Sequence, residues 1–138
     1  MTATSFYPVM MSREVATAAT FYREALDFEV TFDSGWYISL RRGDFELAIV
    51  DHDHGTVPDG FRVPVRGLIL NLEVDDVDAV HEALTGRGFV PVSPLRDEDF
   101  GQRHFIVEAP DGVLLDVIQP IPPTGEYADA YAGGSLAG

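Results

Sequence analysis

Few residue types in this sequence can do covalent or metal chemistry. It has no Cys and no Lys, which removes thiolate nucleophiles, disulfides, Cys-ligated zinc and iron–sulfur sites, and Schiff-base catalysis. Four histidines remain. His52 and His54 alternate with carboxylates in Asp51-His52-Asp53-His54, a loop pattern that can meet a cation or simply face water. His81 lies beside Val80, off the apolar stripe of a helix, and reads as solvated surface. His104 opens a hairpin strand, and the sequence leaves open whether His104 or Phe105 faces a ligand. Asp116 interrupts the apolar run VLLDVI, so it must enter a pocket, pair with an Arg or lie at a strand edge. Glu108 and Arg103 on the neighbouring strand are its candidate partners. No Gly-x-Ser-x-Gly elbow, phosphate-binding loop or dinucleotide fingerprint occurs; Arg42-Gly43-Asp44 and Gly86-Arg87-Gly88 read as turn and cap.

The elements that must position these groups follow from periodicity. Residues 5–11 (SFYPVMM) read as a strand, with Pro8 arguing for an edge or a bulge. Ser12 is the expected N-cap of a helix whose apolar face is Val15, Ala18, Ala19, Tyr22, Ala25 and Leu26. That helix should end near Asp27, because residues 28–32 alternate like a strand. Residues 36–41 and 44–51 then form a hairpin. The order β-α-β-β-β repeats in the second half. Residues 68–74 are a strand, and Asp75 or Asp76 caps a helix bearing Val77, Val80, Ala83 and Leu84. Gly88 suits a left-handed helix end. Residues 89–93 read as a strand, 94–102 as a polar loop, and 103–109 with 113–119 as a hairpin closed by Pro110-Asp111-Gly112. Glu24-Ala25-Leu26 and Glu82-Ala83-Leu84 repeat one tripeptide on the two helices.

The expected organisation is one domain over residues 1–119, with modules at about 5–51 and 67–119 and a Pro/Gly/Asp-rich linker at 52–66. Residues 120–138 form a flexible tail in which Tyr127 and Tyr131 are able to dock. The formal net charge of −14 opposes nucleic-acid and anionic-membrane partners. No apolar run approaches the ~20 residues a bilayer requires, and residues 1–8 lack the pattern of a secretory signal. The expected location is the cytoplasm.

The duplicated βαβββ order, the helix ending Phe21-Tyr22…Leu26-Asp27-Phe28, and the closing Pro110-Asp111-Gly112…Asp116 together resemble the vicinal oxygen chelate superfamily. That group includes glyoxalase I, extradiol dioxygenases, fosfomycin-resistance enzymes and bleomycin-resistance proteins. The resemblance covers roughly residues 5–119 and departs at Asp27, where the family commonly has Gly. It implies an α+β fold in which tandem modules form a curled mixed sheet around a cleft, and a homodimer. It also implies metal positions: a His on the first strand of each module and a Glu near the end of the last. By alignment with the quoted motifs, these fall on Tyr7, on Ile69 and on Asp116, with Ala48 (or Glu46 after a two-residue slip) as the counterpart in the first module. Tyr is a poor ligand, Ile is none, and one Asp does not hold a catalytic metal.

The hairpin at residues 36–50, with Arg41-Arg42-Gly43-Asp44 at its turn, and the segment Phe100-Gly101-Gln102-Arg103 resemble the bleomycin-resistance branch. The resemblance therefore implies metal-independent binding and sequestration of a small natural product or drug, aromatic or cationic, with no catalytic residue and no cofactor. The expected ligand-binding residues are Tyr7, Val9, Trp36, Ile38, Ile69, Asn71, Phe100, Arg103, His104 and Asp116, with Glu108 as a further orienting group. The rival is a glyoxalase-, isomerase- or dioxygenase-type enzyme whose metal is held by Glu46, His104 and Asp116.

Overall fold

The computed structural model describes residues 1–131. Two compact units emerge from it, residues 1–67 with 109–113, and residues 68–108 with 114–131. Each contains one four-stranded mixed sheet and one helix, as the duplicated pattern predicts. Among the described residues no helix is long and apolar enough to cross a membrane.

In the first unit, β1 (Val9–Ser12) runs parallel to β4 (Phe45–Asp51), followed by β3 (Tyr37–Arg42) and β2 (Glu29–Asp33) in the order β1-β4-β3-β2. The first strand starts later than its apolar run suggested. Pro8 has no N–H to give the ladder and contributes only its carbonyl, which accepts from Ala48 N–H. Helix α1 (Val15–Leu26) buries Val15, Ala18, Ala19, Tyr22 and Leu26 against one sheet face. That face carries Met10, Ile38, Leu40, Leu47 and Ile49, since Met10, Ile49 and Ile38 share one register row and Leu47 pairs with Leu40. Burying these side chains stabilises the unit by roughly 1.5–3 kcal/mol each. Asp27 ends the helix at φ 60°, the left-handed geometry its position demanded. Phe28 N–H then reaches back to the Tyr22 carbonyl.

Ser12 is not the N-cap. Glu14 occupies that position without a side-chain capping bond to the backbone, and the Ser12 hydroxyl is used otherwise. It donates to Asp111 Oδ2 at 2.6 Å and accepts from Glu14 N–H. Asp111 Oδ1 also accepts from Arg13 N–H, so the tip of a hairpin late in the sequence belongs to the first unit.

In the second unit, β5 (Ile69–Glu73), β8 (Leu114–Pro120), β7 (Gln102–Glu108) and β6 (Ser93–Glu98) lie in that order, with β5 parallel to β8. Helix α2 (Val77–Gly86) buries Val77 and Leu84, whereas Ala83 is exposed. Asp76 caps it by accepting from Ala79 N–H, and the Gln119 side chain accepts from Val77 N–H. Gly88 takes φ 94° just beyond the end.

One element is displaced from its expected place. The strand predicted at 89–93 begins only at Ser93 and runs through the stretch expected to be a polar loop. Arg96, Asp97 and Glu98 pair with His104, Arg103 and Gln102, after a bulge between Ser93 and Arg96. An edge strand tolerates both Pro94 and a charged run, because its outer ladder positions and faces meet water.

Candidate functional site

Strand alternation divides the second sheet into two faces. Phe105 points toward α2, where its ring meets His81 edge-on with centroids 4.9 Å apart. His81 therefore packs on the core instead of standing in solvent. Arg103, two residues earlier, faces the same way and binds both oxygens of Asp78 and also Asp97. These hydrogen bonds hold the guanidinium firmly protonated and the Asp78 carboxyl below its usual range. Arg103 is thus a tie between helix and sheet, and Glu108 is exposed. Neither is the partner of Asp116.

His104 is that partner. It faces away from α2 and is only 6% exposed, with Asp116 at 8%. Its Nδ1 lies 2.7 Å from Asp116 Oδ1 and its Nε2 2.9 Å from Glu98 Oε2. Arg96 Nε in turn donates to Glu98 Oε2 at 3.1 Å. Carboxylates only accept, so both imidazole nitrogens carry protons and the four groups alternate in charge. Burial alone would lower the His104 pKa, but the bonds to Glu98 and Asp116 outweigh it and raise it above the ordinary 6.5. The bond from His104, with help from Arg96, holds the Glu98 carboxyl below its usual range despite some desolvation.

Around this network the same sheet face carries Asn71, paired in register with Asp116 and through it with Ile106, and Ile69, paired with Leu114. Ile69 is 55% exposed. Phe100, in the turn between β6 and β7, sets its ring edge against His104 with centroids 6.1 Å apart and is 37% exposed. The face is an apolar, part-aromatic surface with a neutralised charged floor. Ile69, Asn71, Phe100, His104 and Asp116 are therefore brought to one side of one sheet, and Arg103 to the other.

In the first unit the face opposite α1 carries Val9, in one row with Ala48 and Ser39. Tyr7 precedes it by two residues. Burial, then the Tyr7 hydroxyl nearby, push the Tyr37 pKa above its usual value. Ile38 lies on the α1 side and is buried in the core. Trp36 stands just before β3, its ring stacked on His54 with centroids 3.6 Å apart and planes 4° from parallel. His52 Nδ1 lies 3.1 Å from the Ser12 carbonyl. Both loop histidines are thus engaged with protein. Trp36 and the alternating loop were each visible in sequence, but nothing there signalled the stack.

Val9 pairs with Ala48 as Asn71 pairs with Asp116, so the first-module counterpart of Asp116 is Ala48, which offers no donor. Glu46 is tied to Arg41 and Ser5. Ile69 has no donor atom, and the nearer oxygen of Asp116 is committed to His104. Among the described residues no group of three His, Asp or Glu side chains converges as metal ligands would. These residues do not fit a metal centre.

Solved structures share this fold. A glyoxalase/bleomycin resistance protein/dioxygenase from Nocardioides is 16% identical, with a TM-score of 0.73 over 91% of this chain and 89% of that one. The lactoylglutathione lyase of Agrobacterium tumefaciens is 16% identical, with a TM-score of 0.69 over 86% and 95%. TnmS3, an antibiotic binding protein from Streptomyces sp. CB03234, is 27% identical, with a TM-score of 0.66 over 87% and 99%. No curated protein matches the sequence. The family model that matches spans residues 6–117, nearly the whole of both modules. The chain belongs to the Glyoxalase/Bleomycin resistance protein/Dioxygenase superfamily.

Proposed function

We propose that this chain binds and sequesters a small natural product or drug without breaking a bond in it. The observation that carries the reading is the fate of Asp116. The one carboxylate left at an implied ligand position is closed into a buried network with His104 and Glu98. It serves as a fixed, hydrogen-bonded floor, not as an open coordination site. The surface beside it suits burial of a planar apolar ring: Ile69 and Phe100 are exposed there, and Asn71 supplies a polar group for orientation. Tyr7 and Val9 give the first unit an analogous wall. The antibiotic-binding relative, at 27% identity, supports the same class of ligand. A net charge of −14 favours cationic members of that class by steering. The homodimer implied by the resemblance is part of this proposal, and light scattering in solution decides it.

The test is a thermal-shift and calorimetry panel of bleomycin, ethidium, acriflavine and doxorubicin on protein purified without added metal. A true ligand at 100 times its Kd adds about 2.7 kcal/mol, or about 9 °C in Tm for a chain of this length. The bound compound should be recovered chemically unchanged. Turnover of the compound, or stoichiometric zinc, nickel, manganese or iron in the purified protein, would overturn the reading.

A further inference from the structure

We infer that residues 121–131 form a strap that fixes Phe100 against the His104–Asp116 floor, with Tyr127 and Tyr131 as positioning residues for ligand affinity. The ligand role rests on the binding reading above; the strap itself rests on contacts around one turn. Each of the three residues in the turn between β6 and β7 is held from the C-terminal side. Asp99 gives its carbonyl to Thr124 N–H at 2.9 Å and its carboxylate to the Thr124 hydroxyl at 3.2 Å. The Phe100 carbonyl accepts from the Tyr131 hydroxyl. The Gly101 carbonyl accepts from Ile121 N–H at 3.0 Å.

The Phe100 ring is held as well. Its edge-on contact with Tyr127 has centroids 6.0 Å apart, nearly the same as its contact with His104 at 6.1 Å. Phe100 is therefore clamped between the strap and the floor. Gly101 shows how closely the strap lies. At φ +105° a Cβ there would stand 2.9 Å from the Tyr131 hydroxyl and 3.0 Å from the Ile121 carbonyl, so only glycine admits the approach. The sequence runs Pro120-Ile121-Pro122-Pro123 before this region. Pro122 and Pro123, with fixed φ, limit the conformations the strap loses on docking.

The consequence is pre-organisation. A half-exposed aromatic on a tight turn would otherwise sample several positions, and a ligand would have to order it. With Tyr127 and Tyr131 in place the aromatic wall is set before the ligand arrives. Both strap contacts are solvent-exposed, which keeps them cheap to open for release.

Two readouts test this. In the full chain without ligand, hydrogen exchange at the Gly101, Ile121 and Thr124 amides should accelerate about tenfold in Tyr127→Ala/Tyr131→Phe. Val107 in the core of β7 should not change. Unchanged exchange at all three amides would overturn the strap. In the second arm, ethidium affinity should fall about fivefold in the double variant, through faster dissociation. It should fall no further when the same changes are made in Phe100→Ala. An equal fall in the Phe100→Ala background would show that the tyrosines act elsewhere and would overturn the positioning role. If wild-type protein binds none of the panel, the binding reading fails with the ligand role, while the exchange arm still decides whether the strap orders the turn.

Discussion

Breaking the His104–Asp116 pair offers the sharpest test of the site. The two groups are 6% and 8% exposed and 2.7 Å apart, so neither can be rescued fully by water. Removing one partner of a buried pair costs roughly 3–5 kcal/mol. Here Glu98 stays on Nε2 and is itself partly exposed, which places Asp116→Leu near the low end, about 3 kcal/mol. With a urea m-value of roughly 1.5 kcal/mol/M, the unfolding midpoint should drop by about 2 M. Asp116→Asn keeps an acceptor and loses only the charge assistance, about 1 kcal/mol or roughly 0.7 M. His104→Leu should cost about as much as Asp116→Leu, because it strands the carboxylate. The double variant removes both charges and should cost no more than either single, giving a coupling of at least about 3 kcal/mol. Urea melts of the four proteins measure it. A coupling below about 0.5 kcal/mol would refute the claim that these groups form one closed unit. The pH dependence has a fixed sign. The folded His104 pKa is raised above 6.5, so its stabilisation is complete below the unfolded value and is lost as pH rises through the folded one. In Asp116→Asn that alkaline loss should flatten, and NMR titration of the ring should show the pKa moving down.

Three further outcomes follow from single contacts. Asp27→Gly, at φ 60°, relieves a left-handed conformation and should stabilise by about 0.5–1 kcal/mol in urea melts, while Asp27→Val should destabilise. Asp111→Ala removes acceptors for the Ser12 hydroxyl and Arg13 N–H and should cost about 1–2 kcal/mol, with faster amide exchange at the start of α1. His54→Ala strips the stacked ring from Trp36, the single tryptophan. Its fluorescence maximum should shift to the red, and an unchanged spectrum would contradict the stack.

Much of the architecture was legible because it rests on short-range rules. The 3.6-residue apolar face of α1, the helix end near Asp27, the Asp76 cap and the Gly88 turn each depend on residues within a few positions of one another. The failures share a different cause. Ser12 looked like a cap, but a residue 99 positions away claims its hydroxyl. The stretch 94–98 looked like a loop because charged residues and Pro dilute it, yet a neighbouring strand supplies the missing ladder. His81 looked solvated because Phe105, its ring partner, is remote in sequence.

The site shows the same division. The resemblance placed Asp116 at the family's carboxylate position, and the alternation of β5 and β8 puts Ile69, Asn71 and Asp116 where a strand rule can find them. Its partner was not legible, since choosing between His104 and Arg103 requires knowing which of two adjacent residues faces α2. One residue of register reverses that choice. Arg103 lies on the helix side, bound to Asp78, and His104 on the opposite face, on Asp116. A single strand thus supplies both the salt bridge on the back of the sheet and the charged floor on its front. A chain with Asp78 replaced by Ala should keep His104 in place only if the core packing of Phe105 and Val107 sets the register by itself. Both are essentially fully buried. Their apolar burial, at roughly 1.5–3 kcal/mol each, exceeds what an exposed ion pair contributes. The core therefore decides which way His104 points, and Asp78 only finishes the back of the sheet.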